Sequence, residues 1–522
     1  MLLFRSRFVA LLACGLALAV ALASCDSDTS VGPDDADVVA NATVDVNPTG
    51  VAPLTARINL TTRRPVSVEV AVEGRGGDDT NVRRRFDTLA TEHEVPVLGL
   101  HPNTTNTVAL RFFDDTGSEV GATSLSATTA PLLSDLPDVS VDRLTPSDME
   151  PGMHFVSYFG HNGEITPQRP FLFDDAGDIR WYLDLSEHPT LSNLFYDNGM
   201  ERLNNGNLYF GDTNSNRIYE INMFGEILTT WGMPGYSFHH NVIEKPNGNF
   251  VATVSKQGAP TVEDWIIEID RTSGEIVNEW NLNESLDNSR RTWETDLADL
   301  NVDWFHANAL AYDASDGTIV VSGRTQGTVK LTDDNEVVWI LAPHKGWETA
   351  GDGTDLSQFL LDPLDASGQP IASDSVRTGA VNHPDFEWAW YQHAPAPLPD
   401  GSLLLFDNGE NRNYTRPGTY SRAVLYQIDE AAQTIQQTWQ YGKERGRETY
   451  SRIVSDVDYH AATDNIVFMP GAVRYNGTNY GKVVEVDRAS QNVVFEATIR
   501  PPTAPFNITF HRVERMPLYP PR

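Results

Sequence analysis

The chain has 522 residues, and its 72 Asp and Glu against 38 Lys and Arg leave a net charge of −34, which argues against nucleic acid as a partner because a polyanion would be repelled. Lysine is confined to Lys245, Lys256, Lys330, Lys345, Lys443 and Lys482; such a surface suits a salt-rich medium or plain solubility, and says nothing about a reaction. Cysteine occurs only at Cys14 and Cys25, so a disulfide scaffold is excluded and stability must come from packing, over a length that allows a large core plus an accessory domain.

In chain order, residues 1–25 read as a lipoprotein export signal. A short basic start with Arg5 and Arg7 precedes the apolar run Phe8 to Ala23, which closes on Leu22-Ala23-Ser24-Cys25. The run is too short to favour a spanning helix, and Cys25 is the expected lipidation site, anchoring an exported protein to a membrane; an uncleaved anchor is the alternative. Cys14 then falls in the discarded signal. Residues 26–41 are rich in Asp, Ser, Gly and Ala and read as a flexible tether. Between 42 and 130, alternating runs such as Val66-Ser-Val-Glu-Val-Ala-Val and Thr107-Val-Ala-Leu-Arg-Phe-Phe, broken by Pro, Gly and Asp turns, predict a small immunoglobulin- or fibronectin-like β-sandwich without chemistry of its own. A Pro- and Asp-rich joint follows, from Pro131 to Asp148.

Residues 150–522 carry a repeat. One unit, a turn, a strand and an aromatic residue, ends at Trp181, Trp231, Trp280, Trp339, Trp439 and Phe495. A second unit, a polar-Gly turn before a strand, alternates with it at Gly206, Gly248, Gly317 and Gly401, and more degenerately at Asn465. Each pair predicts a four-stranded meander, and the set predicts a six-bladed β-propeller. Its incomplete blade is shared between the segment from Phe155 and the C-terminal Asn507-Ile-Thr-Phe-His-Arg-Val, so the whole chain is all-β.

Aligned on the second unit, His240 stands eight residues before Gly248, His393 eight before Gly401 and His306 eleven before Gly317. All three lead into innermost strands, which line the axis of a propeller, so three imidazoles are aimed at one channel. The same register puts Asn198 and Asp456 on other blades. Arg324 ends the strand returning from His306. An isolated histidine or arginine of this kind is ordinarily a hydrogen-bonded structural group or a blade-to-blade ion pair; three imidazoles in register are not. A transition-metal site competes with an anion site, but no carboxylate or thiol accompanies all three histidines at ligand spacing, and an arginine beside them favours an anion. No metal and no cofactor are therefore expected. His239, His383, His460 and His511 read as structural or surface residues, His239 being the nearest to an exception. Trp304, Trp390 and Tyr391 are candidates for an aromatic wall, with core packing expected for at least one.

At these residues the chain resembles the bacterial arylsulfate sulfotransferases. The likeness rests on Phe238-His-His240-Asn, Trp304-Phe-His306-Ala-Asn308, Ser322-Gly-Arg324-Thr-Gln, Gln392-His393-Ala-Pro, Phe406-Asp-Asn-Gly409 and the ending Arg512-Val-Glu-Arg-Met-Pro-Leu-Tyr519. The resemblance implies a small β-domain before a six-bladed propeller, and transfer of a sulfuryl group from an aryl sulfate to a phenol without a nucleotide donor. It implies that His393 is transiently sulfated, that His240, His306 and Arg324 hold the sulfate, and that Asn308 is a further binding residue. Better-known members are disulfide-bonded dimers; this chain lacks the cysteines for that bridge, so a homodimer is one alternative rather than an implication. Two other readings compete: a non-catalytic lipoprotein propeller that binds an anionic ligand or a protein partner, and a metal-dependent hydrolase or quinone-cofactor oxidoreductase on the same fold. The segment Trp347 to Ala380 is long and polar, a lid or a surface excursion.

Overall fold

A computed structural model of the chain describes residues 38–75, 82–161, 168–292, 295–502 and 507–520. The export signal, Cys25 and the tether up to residue 37 lie outside the described residues. The first strand is Val39–Val46, so sheet structure begins before Ala42, inside the stretch expected to be tether.

Five strands, Val39–Val46, Thr55–Val72, Val82–Leu98, Thr105–Phe113 and Glu119–Thr128, form the N-terminal domain. They make one continuous sheet rather than two separate ones. Thr55–Val72 pairs with Val39–Val46 along its first half and with Thr105–Phe113 along its second. The sheet closes on itself as a sandwich does, with its inward residues Val66, Val68, Val70 and Val72 all buried. The domain is seated on the propeller by buried polar contacts: Arg180 donates from Nε and Nη2 to the carbonyl of Gly99, and the hydroxyl of Tyr519 accepts from the amide of Leu98.

The remainder forms six antiparallel sheets among the described residues, each a blade of a propeller. Blade 1 has Met153–His161, Phe171–Phe173 and Ile179–Tyr182, with the C-terminal Asn507–Met516 as its innermost strand. The innermost strands of blades 2 to 6 are Glu201–Arg202, Tyr236–Glu244, Ala307–Asp313, His393–Pro397 and Asp456–His460. The aromatic residue ending each blade explains the repeat. Trp181, Trp231, Trp280 and Trp439 donate their indole N–H to turn carbonyls of the next blade, at Met223, Arg271, Thr332 and Arg488, over 2.7–2.9 Å. Trp339 does the same to the Glu430 carboxylate at 3.0 Å. Phe495, with no N–H, instead stacks on His154 of blade 1 with ring centroids 4.3 Å apart.

Two segments depart from expectation. The joint contains a strand, Asp138–Leu144, which pairs with Val493–Arg500 and covers the outer edge of blade 6. Within Trp347 to Ala380, Asp362–Leu364 pairs in parallel with Thr434–Tyr441 at the outer edge of blade 5, so this insertion is an excursion on the rim and not a lid over the axis. Both additions cover edges that would otherwise be open to pairing.

The ring closes where Asn507–Met516 pairs with Met153–His161. Phe510 is fully buried there, against Gly481, where a Cβ would come within 2.3 Å of its ring, and against Tyr158. Truncating such a ring removes its burial and leaves a cavity, at a cost of about 3–5 kcal/mol. We expect Phe510→Ala to lower the urea midpoint accordingly; an unchanged midpoint would show that closure does not depend on this contact.

Candidate active site

The three register-matched histidines owe their direction to bulges. Pairing slips between Phe238 and Val242, in the middle of the innermost strand of blade 3, and between Ala307 and Ala309 and between His393 and Ala396, at the start of those of blades 4 and 5, with His306 one residue before its strand. His240 and His306 there take left-handed backbone, φ 57° and 58°, which turns the side chain out of the sheet and toward the axis. Their Nε2 atoms meet at 2.9 Å. His393 is near enough to His306 and Arg324 to feel both charges.

A ring of amides sets the floor of the site. Asn198 of the blade 2 approach donates to the carbonyl of Asn308, and Asn308 donates to that of Gln392, both at 2.9 Å; the Asn198 amide N–H reaches the carbonyl of His240 at 3.2 Å. Asn198 Oδ1 lies 3.0 Å from His511 Nδ1. His511, expected as a structural or surface residue, is a buried, hydrogen-bonded one that stands 6.5 Å from the ring of His240. Asn308 lies in the site, but the N–H it donates to Gln392 ties blade 4 to blade 5, and its Oδ1 has no partner among the described residues. Below His393 the innermost strands open into an axial cavity of about 330 Å³ lined by Glu201, Asp456, Asp458, Arg512, Glu514 and Arg515, among others.

Carboxylates that the sequence did not reveal stand behind the imidazoles. Asp303 Oδ2 accepts from His306 Nδ1 at 2.7 Å, and Glu263 Oε2 approaches the same nitrogen at 2.5 Å. Glu263 Oε1 lies 2.8 Å from His239 Nε2, and Asp197 Oδ2 lies 3.1 Å from His240 Nδ1. Two trios, Asp197 with His239 and His240, and His240 with Glu263 and His306, bring donor atoms within 4.8 Å of one another, a spacing that one ion could span. Of these, His306 is hydrogen-bonded to Asp303 and His239 is in ion-pair contact with Glu263, while His240 Nδ1 and Glu263 Oε2 make no hydrogen bond among the described residues.

The protonation pattern follows from these neighbours. Burial and the Arg324 charge oppose an imidazolium at His306, yet the bonds to Asp303 and Glu263 outweigh them and its pKa is raised. At His240, burial first and then His239 and His306 hold the pKa well below the usual histidine value. Nδ1 of His306 carries hydrogen toward Asp303, its raised pKa favours the imidazolium, and the Nε2–Nε2 contact of 2.9 Å then places the second hydrogen between the rings with His240 as acceptor, so the pair bears a single positive charge. His393 is different. Its Nδ1 faces Asn408 Oδ1 at 2.8 Å and the carbonyl of Tyr391 at 3.1 Å, so Nδ1 carries the hydrogen and Nε2 a lone pair. Burial, aided by Arg324 and His306, pushes this imidazole down to about 3 against the bond from Asn408, so it is neutral at physiological pH.

Arg324 makes no ion pair among the described residues. Its backbone N–H bonds the carbonyl of His306 at 3.0 Å, its Nη2 donates to that of Leu297 at 3.2 Å, and its buried Nε has no partner. Burial first, with the Arg452 charge, lowers its pKa against the pull of Asp303 and Glu263, yet it remains a cation. The blade-to-blade ion pair considered for it is not found among the described residues, and a buried guanidinium without a direct carboxylate partner there can accept an anion. Of the aromatic candidates, Trp304 is fully buried with its indole N–H on Asp264 and Trp390 is packed in the core of blade 5, while Tyr391 is close enough to Arg324 to feel its charge.

Comparison with known proteins matches both parts of the chain. The family model for arylsulfotransferase (ASST) matches residues 138–506, and that for the arylsulfotransferase Ig-like domain matches residues 43–130. Arylsulfate sulfotransferase AssT of Escherichia coli O6:H1 (strain CFT073) is 29% identical over 549 residues, spanning 87% of this chain and 89% of that protein. The protein of the same name from Lelliottia amnigena is 29% identical over the same spans. Small domain and propeller are thus matched in the same order and over most of their length, and the chain belongs to the arylsulfotransferase family.

Proposed function

We propose that this protein transfers a sulfuryl group from an aryl sulfate to a phenol through a sulfated His393, with no nucleotide sulfate donor. Membership of the family supports aryl sulfotransfer. The observation that carries the finer reading is the pairing of an uncompensated Arg324 with a neutral His393 whose Nε2 meets no partner among the described residues. One is a receptor for sulfate oxygens and the other a nucleophile that needs no deprotonation.

In the first half-reaction the Arg324 guanidinium and the shared N–H of His240 and His306 hold the sulfonate oxygens. The His393 Nε2 lone pair forms an N–S bond as the S–O bond to the aryl group breaks. Its electron pair leaves as phenoxide, which takes the proton shared between His240 and His306. In the second half-reaction that imidazole pair accepts the proton of the incoming phenol, the phenol oxygen attacks sulfur, and the N–S bond breaks to restore His393. Sulfuryl transfer of this kind is governed by alignment and charge, which fixed imidazoles and a fixed guanidinium supply. The apolar start of the chain and Leu22-Ala23-Ser24-Cys25 support export and a lipid tether as its setting.

Four outcomes are expected. With 4-nitrophenyl sulfate as donor and phenol as acceptor, His393→Ala loses turnover and wild-type protein quenched during reaction yields a sulfated peptide containing His393. Arg324→Ala retains the mechanism but falls about 10²–10³-fold in kcat. Nitrophenol release that His393→Ala leaves intact would overturn the assignment. On pH, the proton delivered to the leaving group is present below the raised pKa of His306 and is lost as pH rises through it. Turnover of donors with a basic phenol should therefore fall on the alkaline side, and 4-nitrophenyl sulfate, whose phenoxide leaves without help, should fall less; identical profiles would remove the His240–His306 pair as the acid. Radiolabelled palmitate should enter wild-type protein in a bacterial host and not Cys25→Ser; equal labelling of both would rule out Cys25 as the anchor.

A further inference from the structure

We propose that Asn408 is a positioning residue that fixes the tautomer of His393, and that the left-handed turn at Val454 and Ser455 serves to aim the carbonyls that hold its amide. The inference rests on His393 being the nucleophile of the proposed reaction.

An asparagine side chain can present oxygen or nitrogen in either direction, and its neighbours decide which. Asn408 is fully buried, and its Nδ2 lies 2.9 Å from the carbonyl of Ser451 and 2.9 Å from that of Val454. Both are acceptors only, so nitrogen must face them and oxygen must face His393. Oδ1 can then only accept, which places the hydrogen of His393 on Nδ1 and leaves Nε2 bare. A flipped amide would set its oxygen against two buried carbonyl oxygens, leaving that of Val454 without its donor and that of Ser451 with Ser421 Oγ alone at 3.2 Å, and would turn an N–H on the imidazole, which would move its hydrogen to Nε2 and abolish the nucleophile.

The turn that supplies these carbonyls leads into the innermost strand of blade 6 and also bonds the closing strand, through the amide of Ser455 on the carbonyl of Phe510 at 3.3 Å. Val454 has φ 53° and Ser455 φ 90°, backbone that L residues avoid and β-branched ones avoid most. A buried hydroxyl network holds them there: Ser455 Oγ bonds Ser451 Oγ at 2.8 Å, the amide of Gly471 bonds Ser455 Oγ at 3.0 Å, and that of Ala472 bonds Ser451 Oγ at 2.9 Å. Ser421 Oγ joins the two sides, donating to the carbonyl of Asn408 at 2.7 Å and accepting from the amide of Ser451 at 2.9 Å. Strain thus collects at the junction of blades 5 and 6 and is directed at one side-chain amide.

An amide also suits the chemistry better than a carboxylate. When Nε2 takes the sulfuryl group, the ring becomes an N-sulfo imidazolium with its hydrogen still on Nδ1. A neutral acceptor leaves that charge in place, so the N–S bond breaks readily when the phenol attacks. A carboxylate there would stabilise the charge and dull the leaving group. The groups that set the charge of His393 are Arg324 and His306, with His511, Asp456 and Arg512 across the narrow pocket beside it.

The test uses full-length protein with ¹⁵N-labelled histidine, comparing wild type, Asn408→Ala and Asn408→Asp for kcat, KM and the His393 ring nitrogen shifts. In wild type we expect a pure Nδ1–H form. Asn408→Ala should give a mixture of tautomers and lose about 10²–10⁴-fold in kcat, the range a misplaced histidine hydrogen costs, with KM changed far less. Asn408→Asp keeps an acceptor on Nδ1, so it should hold the tautomer and recover part of the rate, while raising the imidazole pKa and adding an acid limb to the pH profile. A mixed tautomer in wild type overturns the proposal, as does an Asn408→Ala protein with wild-type tautomer and kcat. So do equal losses in both variants without an acid limb. If wild type shows the pure tautomer, Asn408→Ala disturbs it, and no variant transfers sulfuryl groups, the positioning role stands and the proposed reaction falls.

Discussion

An indole N–H reaching from one blade to the turn of the next is the contact on which the geometry of this protein depends. A buried N–H left without an acceptor costs about 1–3 kcal/mol, so each tryptophan at a blade's outer strand has a fixed place to point. The repeated bond from Trp181, Trp231, Trp280 and Trp439, with Trp339 on a carboxylate, sets the angle between neighbouring blades. Blades held at a constant angle bring their first strands to one axis. The convergence of His240, His306 and His393, which lie far apart in sequence, is a consequence of contacts made on the opposite side of each sheet.

At the axis the charges are arranged in two layers. Arg324 and the imidazoles face the open site, while Glu263, Asp303 and Asp197 stand behind the rings. Beside Arg324 and the imidazoles these carboxylates lie behind the rings, whereas the cavity below His393 is lined by Glu201, Asp456, Asp458 and Glu514. In the proposed reaction the same two imidazoles would both hold the sulfonate and move a proton, since one hydrogen lies between them.

The fold was legible because a propeller repeats: six aromatic ends and a series of glycine turns announce themselves as a period. The histidines were legible for the same reason, since register against Gly248, Gly317 and Gly401 makes them equivalent. Their partners were not. Glu263 lies in a connection between two strands of blade 3, at φ 59°, with no pattern to mark it. Asp303 and Asn408 stood inside motifs that drew attention, Asp303-Trp-Phe-His306 and Phe406-Asp-Asn-Gly409, but no spacing says which atom of a side chain faces which ring. The strand Asp138–Leu144 was hidden by the Pro- and Asp-rich composition around it, because an edge strand with one solvent face needs few apolar residues.

The closure of the ring by Asn507–Met516 on Met153–His161 also has a kinetic side. Contacts between positions more than three hundred residues apart carry a large loop-closure entropy and form late. Blades 3, 4 and 5, which hold the three imidazoles, are made of local hairpins and can assemble first. Ring-sealing then adds His511 and Arg512 to the wall of the channel as the last event. A nascent chain would thus collect its imidazoles early and acquire a watertight axis only at the end, so the site becomes competent for chemistry at the moment the molecule loses its last exposed edge.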